Sequence, residues 1–258
     1  MKVKLYSRVL GEEGAPHLVV LHGLLGSSDN WQTLGKKYAT RFRVHLLDAR
    51  NHGKSPHTSE HDYDLMTHDL LQYFDSNNIE TASILGHSMG GKTVMMFTER
   101  HPDRVDKLIV ADIAPRAYEA RHNEMFDALS STNPAEATSR REVELLLWEK
   151  LGDNETLLSF LMKGLHRIKG GGYEWRYNVE VLAATLYGVT DEIQQSMTTI
   201  PTLFIRGLNS SYVSDVDLEN LEDVYVQLET ADIEDAGHWL HAEKPAEFLD
   251  ITLDFLVH

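Results

Sequence analysis

Residues 86–91 read GHSMGG and stand between an apolar run at 82–85 and a helical pattern at 92–100. The pattern G-x-S-x-G in this setting predicts a serine on a sharp turn from a strand into a helix. Glycines on either side of the serine leave room for the turn and for close packing of the helix. The start of the helix also brings partial positive charge close to the serine hydroxyl. Ser88 is therefore the candidate nucleophile.

Apolar runs of the same kind recur along the chain, with helical patterns of about 10 to 15 residues between them. The runs are nearly continuous rather than alternating, which is typical of strands that are covered on both faces. They lie at residues 18–21, 44–47, 82–85, 108–111, 202–205 and 224–228, and residues 2–9 are expected to add an antiparallel edge strand. Strands and helices in alternation predict an α/β fold with a mainly parallel central sheet and helices on both faces.

The alternation stops between residues 116 and 199, where only helical patterns follow one another. They cover residues 118–129, 142–151, 155–168 and 178–187, with a turn or hinge expected at the glycines 170–172. We interpret this segment as a helical cap inserted between two strands of the sheet. The predicted core domain then consists of residues 1–115 and 200–258, and the predicted cap of residues 116–199.

The loop HGLLG at residues 22–26 follows the predicted strand 18–21. Where a G-x-S-x-G turn carries the nucleophile, such a loop supplies one backbone N–H for the oxyanion, and the residue after the serine supplies the other. We therefore assign the N–H groups of Leu24 and Met89 to the oxyanion hole. His22 is expected to support the loop, and both His22 and Leu25 to contact the substrate.

The candidate general base is His238, which follows the last predicted strand. A chain order of serine, acid and histidine places the base late in the sequence, as here. Trp239, next to it, is expected to contact the substrate. His241 is expected at the rim of the site, and His87 is expected to be packed in the interior.

Five segments together carry a resemblance to a known family. Taken as a set, they resemble the α/β-hydrolase superfamily from residue 18 to the last residue, and they are most similar to the YbfF-type esterases. The resemblance implies an α/β-hydrolase fold with an inserted cap and a cofactor-free serine hydrolase acting on carboxylic esters or thioesters. The segments are HGLLGSSDNW (22–31), DARNHGKS (48–55), GHSMGGK (86–92), ADIAP (111–115) and GHWLHAEKP (237–245).

The resemblance implies that the acid orienting His238 lies in the turn after the strand that follows the cap, but that turn contains no acid here. The turn after the strand 202–205 reads GLNSS and contains no carboxylate, and Asp215 is the first acidic residue beyond it. Asp112 ends the strand 108–111, and catalytic groups gather at the carboxyl ends of parallel strands. The resemblance favours Asp112 as well, because the subgroup resembles enzymes whose acid lies on that earlier strand. Asp112 is the preferred acid, and Asp215 stays open as the alternative.

The composition excludes several classes of protein. The chain has no cysteine, which rules out a thiolate nucleophile and cysteine-built metal sites. Its 24 basic and 40 acidic residues give a net charge of −16, which disfavours nucleic acid and anionic membranes as partners. No apolar run is long enough for a membrane span and no signal peptide is apparent, so a cytoplasmic location is expected. No metal and no cofactor is expected, and the oligomeric state stays open.

Several functions remain compatible with these residues. A small-molecule ester or thioester of short to medium acyl length is the expected substrate. The basic residues within 163–176 either recognise an anionic group, such as the phosphates of an acyl-CoA, or form a solvated helix face. A C–C hydrolase, a perhydrolase or a lyase would use the same residues. A non-catalytic binding protein is the alternative from another class, because the usual acid position is empty.

Overall fold

The computed structural model describes residues 3–119, 123–152 and 154–258. Within these residues, seven strands form the central sheet in the order β1-β3-β2-β4-β5-β8-β9, and β6 and β7 form a separate hairpin. The strands are β1 (Ser7–Leu10), β2 (His17–Leu21), β3 (Arg43–Leu47), β4 (Ala82–His87), β5 (Val105–Ala111), β6 (Leu165–Arg167), β7 (Tyr173–Trp175), β8 (Thr202–Gly207) and β9 (Leu228–Ile233).

Helices cover both faces of this sheet and build most of the segment between β5 and β8. They are α1 (Gln32–Tyr38), α2 (Tyr63–Ser76), α3 (Met89–Arg100), α4 (Asn123–Ser130), α5 (Arg140–Leu151), α6 (Glu155–Met162), α7 (Val179–Ala184), α8 (Leu186–Thr190), α9 (Asp215–Glu222), α10 (Leu240–Glu243) and α11 (Pro245–Val257), with short 3₁₀ helices at Ser28–Trp31, Pro102–Arg104 and Pro134–Glu136. None of the helices in the described ranges is long and apolar enough to cross a bilayer.

The sheet is parallel except at one edge. β1 pairs with β3 antiparallel, and every other pairing in the sheet is parallel. Alternate residues of β2 point to opposite faces: Val19 packs in one apolar cluster with α2 and α3, and Leu18 packs in another with α1 and α11. Burial on both faces explains the continuous apolar runs of the sequence. The predicted α/β fold with a mainly parallel sheet is confirmed.

Two predicted strand positions need correction. The strand predicted at 224–228 is wrong, because β9 begins at Leu228 and ends at Ile233. Tyr225 is buried against Phe204 at the start of that region, which makes the run apolar without making it a strand. β9 itself is an edge strand in which only Ile233 is fully buried, so it lacks the continuous apolar run of the inner strands. The first edge strand is shorter than the predicted 2–9, and residue 2 lies outside the described residues.

The segment 116–199, which we call the cap segment, contains α4 to α8 and the β6–β7 hairpin. The helix predicted at 155–168 ends at Met162, and the chain then enters β6. Glycines 170–172 all have positive φ, which suits glycine and closes the hairpin turn. α4 begins only at Asn123; residues 120–122 of the helix predicted at 118–129 lie outside the described residues. The helix predicted at 178–187 is two short helices, α7 and α8.

Candidate active site

Ser88 occupies a strained turn between β4 and α3. Its backbone has φ 54° and ψ −120°, a conformation that residues other than glycine rarely adopt. The surrounding chain leaves no room for other side chains: a Cβ built on Gly86 would lie 2.3 Å from the carbonyl oxygen of Gly90, and one built on Gly90 would lie 2.6 Å from that of Leu21. These close approaches explain why glycine stands on both sides of the serine.

The structure brings Ser88, His238 and Asp112 together at the carboxyl end of the sheet. Nε2 of His238 lies 3.0 Å from Oγ of Ser88, and Nδ1 of His238 lies 2.7 Å from Oδ2 of Asp112. Asp112 is fully buried, while the side chain of His238 is 19% exposed. With Nδ1–H donating to the carboxylate, Nε2 is left as an acceptor for the serine proton.

The carboxylate of Asp112 is also held by the turn that lacks an acid. The N–H of Gly207 donates to its Oδ1 over 3.2 Å, and the hydroxyl of Ser210 donates to its Oδ2. Ser210 was not among the residues predicted from the sequence, because its contact with Asp112 depends on how the loop after β8 folds. Asp215, the alternative acid, is 85% exposed and pairs with Arg206 at 2.7 Å.

The loop at residues 22–26, which was predicted to supply one N–H of the oxyanion hole, lies directly against Ser88. A Cβ built on Gly23 would lie 3.2 Å from the Cβ of Ser88. Leu24 borders the cavity above Ser88. Met89 is the first residue of α3, so its N–H has no acceptor within the helix.

Two buried histidines support this loop. Nε2 of His22 accepts from the N–H of Ala49 at 3.0 Å, so its Nδ1 carries the proton that is donated to the carbonyl of Gly23 at 2.7 Å. His52 accepts from the N–H of Leu25 at 3.1 Å. Burial lowers the pKa of both histidines. His22 borders the cavity, but both of its nitrogens are occupied in holding the loop.

A cavity of about 220 Å³ opens above Ser88 between the core and the cap segment. Most of its wall is apolar, and Trp239 is one of the residues that line it. Leu25, also predicted to contact the substrate, is not among the lining residues; its side chain is buried in the apolar cluster of the cap segment. The ring of Tyr212, which was not predicted as a site residue, stacks on His238 with the centroids 3.8 Å apart. The other apolar side chains of the wall are Leu24, Trp31, Met125, Leu157 and Phe160.

His87 and His241 pack beneath His238. His87 donates from Nε2 to the backbone carbonyl of His238 at 2.8 Å. His241 was expected at the rim but is buried, because its ring stacks on Trp31 with the centroids 4.3 Å apart and the planes almost parallel. Burial lowers the pKa of His241 to about 3 and holds that of His87 well below its ordinary value.

The buried histidines predict a loss of stability in weak acid. Burial lowers the pKa of His61 to about 3 in the folded chain, against an ordinary value of about 6.5 when unfolded. Between these values the unfolded chain binds more protons, so stability falls as the pH decreases from about 6.5. Each such histidine contributes a slope of about 1.4 kcal/mol per pH unit.

Urea denaturation at several pH values between 4.5 and 7.5 would measure this slope. In His61→Gln the slope should decrease by about one proton, since the side chain no longer titrates. His258→Gln is the matched control, because His258 is exposed at the last residue. Equal slopes in wild type and His61→Gln would contradict the prediction.

Among the described residues, no group of three or more histidine, aspartate or glutamate side chains is arranged to hold a metal ion.

Comparison with known proteins agrees with this architecture. Residues 16–245 match the family model described as the alpha/beta hydrolase fold, and the chain therefore belongs to the α/β-hydrolase family. It is similar to Esterase YbfF of Escherichia coli (strain K12), with 37% identity over 88% of either chain. This relative confirms the resemblance to YbfF-type esterases.

Two further relatives extend the comparison. The sn-1-specific diacylglycerol lipase ABHD11 of Mus musculus is 33% identical over 97% of this chain and 84% of its own. A solved structure titled "Marine microorganism esterase" is 39% identical, covers 98% of this chain and 99% of its own, and superposes with a TM-score of 0.93. Esterases and lipases are thus among the relatives of this chain.

Proposed function

We propose that the protein hydrolyses carboxylic esters through an acyl-enzyme on Ser88. The observation that carries the proposal is the chain of contacts from Ser88 Oγ to His238 Nε2 at 3.0 Å and from His238 Nδ1 to Asp112 at 2.7 Å. These contacts lie at the base of a largely apolar cavity. Esterase and lipase relatives support the same reaction class.

In the proposed reaction, Oγ of Ser88 attacks the acyl carbon while His238 takes its proton on Nε2. The N–H groups of Leu24 and Met89 would stabilise the oxyanion, each contributing about 3 kcal/mol to the barrier reduction. The imidazolium then protonates the departing alcohol, and an acyl-enzyme remains. A water molecule, deprotonated by His238, attacks the acyl carbon; the bond to Oγ of Ser88 breaks, His238 returns the proton to Oγ, and the carboxylic acid is released.

Asp112 would keep His238 in the tautomer that these reaction steps require, with the proton on Nδ1. The carboxylate accepts the proton of Nδ1 and stabilises the imidazolium that forms during the reaction. Its other contacts, from Gly207 and Ser210, are hydrogen-bond donors that suit the charged form.

The cavity favours a short to medium acyl chain. At about 220 Å³ it is smaller than the roughly 300 to 1,000 Å³ of sites for drug-sized ligands. A second cavity of about 370 Å³ adjoins it and shares Asn30, Phe160, Trp239 and His241 with it. A larger alcohol or thiol group could extend into this second space.

A thioester of coenzyme A is the second candidate substrate, and one residue favours it. Lys163 borders the second cavity, where it could meet a phosphate, but Glu155 and Glu243 border the same space. Arg176 is already paired with Asp29 at 2.8 Å. We therefore favour a neutral ester.

A fluorophosphonate probe and a substrate panel test the proposal. The probe should label Ser88, because labelling requires an activated serine. In a panel of p-nitrophenyl esters of increasing acyl length, beside acyl-CoAs, the short and medium esters should give the highest kcat/KM. A KM for acyl-CoA that rises with salt, with no such rise for esters, would instead favour the thioester. A chain that neither reacts with the probe nor turns over any substrate would be a binding protein, and the proposal would fail.

A further inference from the structure

Lys92 is a buried lysine on the nucleophile helix that the proposed reaction does not use. It lies one turn after Ser88, whose carbonyl accepts its backbone N–H at 3.1 Å. Its side chain is 0% exposed. Among residues 3–119, 123–152 and 154–258, no carboxylate forms an ion pair with it; the ammonium donates instead to the carbonyls of Arg116 at 2.7 Å and Asp191 at 2.5 Å.

These two carbonyls belong to the two connections between the sheet and the cap segment. Arg116 follows β5, where the chain leaves the sheet, and Asp191 follows α8, where the chain returns towards it. The connections also bind each other, because Tyr118 N–H donates to the carbonyl of Thr190 at 2.8 Å. The ammonium of Lys92 thus ties the helix that carries Ser88 to both connections at once.

A line of aromatic rings continues from Lys92 to the candidate base. The ammonium stands 4.9 Å from the centroid of the Tyr118 ring. The hydroxyl of Tyr118 donates to the carbonyl of Tyr212 at 2.7 Å, and the two rings are 5.3 Å apart. Tyr212 in turn stacks on the imidazole of His238 at 3.8 Å.

We propose that Lys92 is a positioning residue for the reaction, which holds the nucleophile helix, the cap connections and, through Tyr118 and Tyr212, the imidazole of His238 in one arrangement. The proposal rests on the proposed function, because it concerns the efficiency of the same site. Lys92 itself does not contact the reacting atoms.

Stability alone gives little reason for a charge at this position. Burial lowers the pKa of Lys92 to about 8, from an ordinary value of 10.5. Between these values the unfolded chain binds more protons, so stability from this group rises with pH, and at neutral pH the buried ammonium is unfavourable.

Because the Lys92 ammonium loses its proton near pH 8, we expect activity to decline above about pH 8. The charge of Arg116 lowers the pKa of Lys92, and the carboxylates of Asp191 and Glu192 raise it. The rings of Tyr63 and Tyr118 face the ammonium from the other side. When the amine becomes neutral, its hydrogen bonds lose their charge and its attraction to the rings is lost. The contacts of Lys92 with the carbonyls of Arg116 and Asp191 should then weaken, and kcat should fall.

Lys92→Met tests the proposal, with Lys107→Met as the matched control. Lys107 also donates to a backbone carbonyl, that of Phe255 at 2.7 Å, and stands 5.2 Å from an aromatic centroid. We expect Lys92→Met to lower kcat for a short p-nitrophenyl ester by roughly 10- to 100-fold, because misplacement by about 1 Å can cost that much. KM should change less than kcat. The decline above pH 8 should disappear in this variant and persist in Lys107→Met.

Tyr118→Phe provides a second test that does not depend on how Lys92→Met folds. It keeps the ring but removes the hydroxyl that donates to Tyr212, so kcat should fall in the same direction by a smaller factor. If Lys92→Met is as active as Lys107→Met, or if Tyr118→Phe matches wild type, the positioning role is overturned while the proposed function stands. If the wild type neither hydrolyses esters nor reacts with a fluorophosphonate, both are overturned.

Discussion

Ser88→Ala is expected to lower kcat for a p-nitrophenyl ester by about 10⁶-fold, because removing the nucleophile of a serine hydrolase abolishes the acyl-enzyme route. Binding should persist, since the apolar wall of the cavity is unchanged. The fold should persist as well: alanine has the same Cβ as serine, and the glycines 86 and 90 still provide the space that the turn requires. Fluorophosphonate labelling should be lost completely.

Ser83→Ala is the matched control for this variant. Ser83 lies on β4, the same strand that leads into the turn, and is buried. It should keep labelling and turnover close to wild type, because it lies five residues before the nucleophile. Substantial turnover in Ser88→Ala would contradict the assignment, and so would an equal loss in both variants.

The parts of the fold that the sequence predicts are those with a local cause. Buried strands leave continuous apolar runs, and the G-x-S-x-G turn needs its glycines at fixed spacing because of the carbonyls that approach Gly86 and Gly90. β9 could not be predicted in this way, because it is an edge strand with few buried side chains and has no continuous apolar run. The apolar run before it contains the buried Tyr225 and is not a strand.

Within the candidate site, too, residues with a local sequence signal can be predicted and residues without one cannot. Ser88, His238 and Asp112 can each be selected from their positions at strand ends and from the chain order. Tyr212 and Ser210 cannot, because their roles depend on where a loop folds back after β8. Ser210 contacts Asp112, which lies 98 positions away in the sequence, and Tyr212 contacts His238 across two separate elements, so neither contact has a local pattern.

The number and spacing of the histidines do not show which of them are buried together. The sequence has fourteen of them, spread along the chain without ligand-like spacing. In the folded protein, the rings of His22, His52 and His61 lie in succession with centroids 5.1 and 5.5 Å apart, and His87 lies between His238 and His241. Burial lowers the pKa values of His22, His52, His61, His87 and His241, and periodicity in the sequence does not reveal this burial.

Asp112→Asn should lower kcat for esters by about 10⁴-fold, with the protein still folded. The amide can face His238 in two ways, and both are unfavourable. If the amide NH₂ faces Nδ1, it stabilises the tautomer whose proton is on Nε2, and that nitrogen can no longer accept the serine proton. If the amide oxygen faces Nδ1, the NH₂ is turned towards the N–H of Gly207, which is also a donor. In either orientation the imidazolium loses the negative charge that stabilises it.

Asp215→Asn is the control that separates the two candidate acids. Asp215 is exposed and pairs with Arg206, so its neutralisation should leave kcat within about twofold of wild type. Both variants should be measured for ester turnover and for the rate of fluorophosphonate labelling, with circular dichroism to verify folding. A large loss in Asp215→Asn together with near-normal turnover in Asp112→Asn would transfer the role of the acid to the later residue. The opposite result would assign it to Asp112, directly after β5, where the buried carboxylate already accepts hydrogen bonds from Gly207 and Ser210.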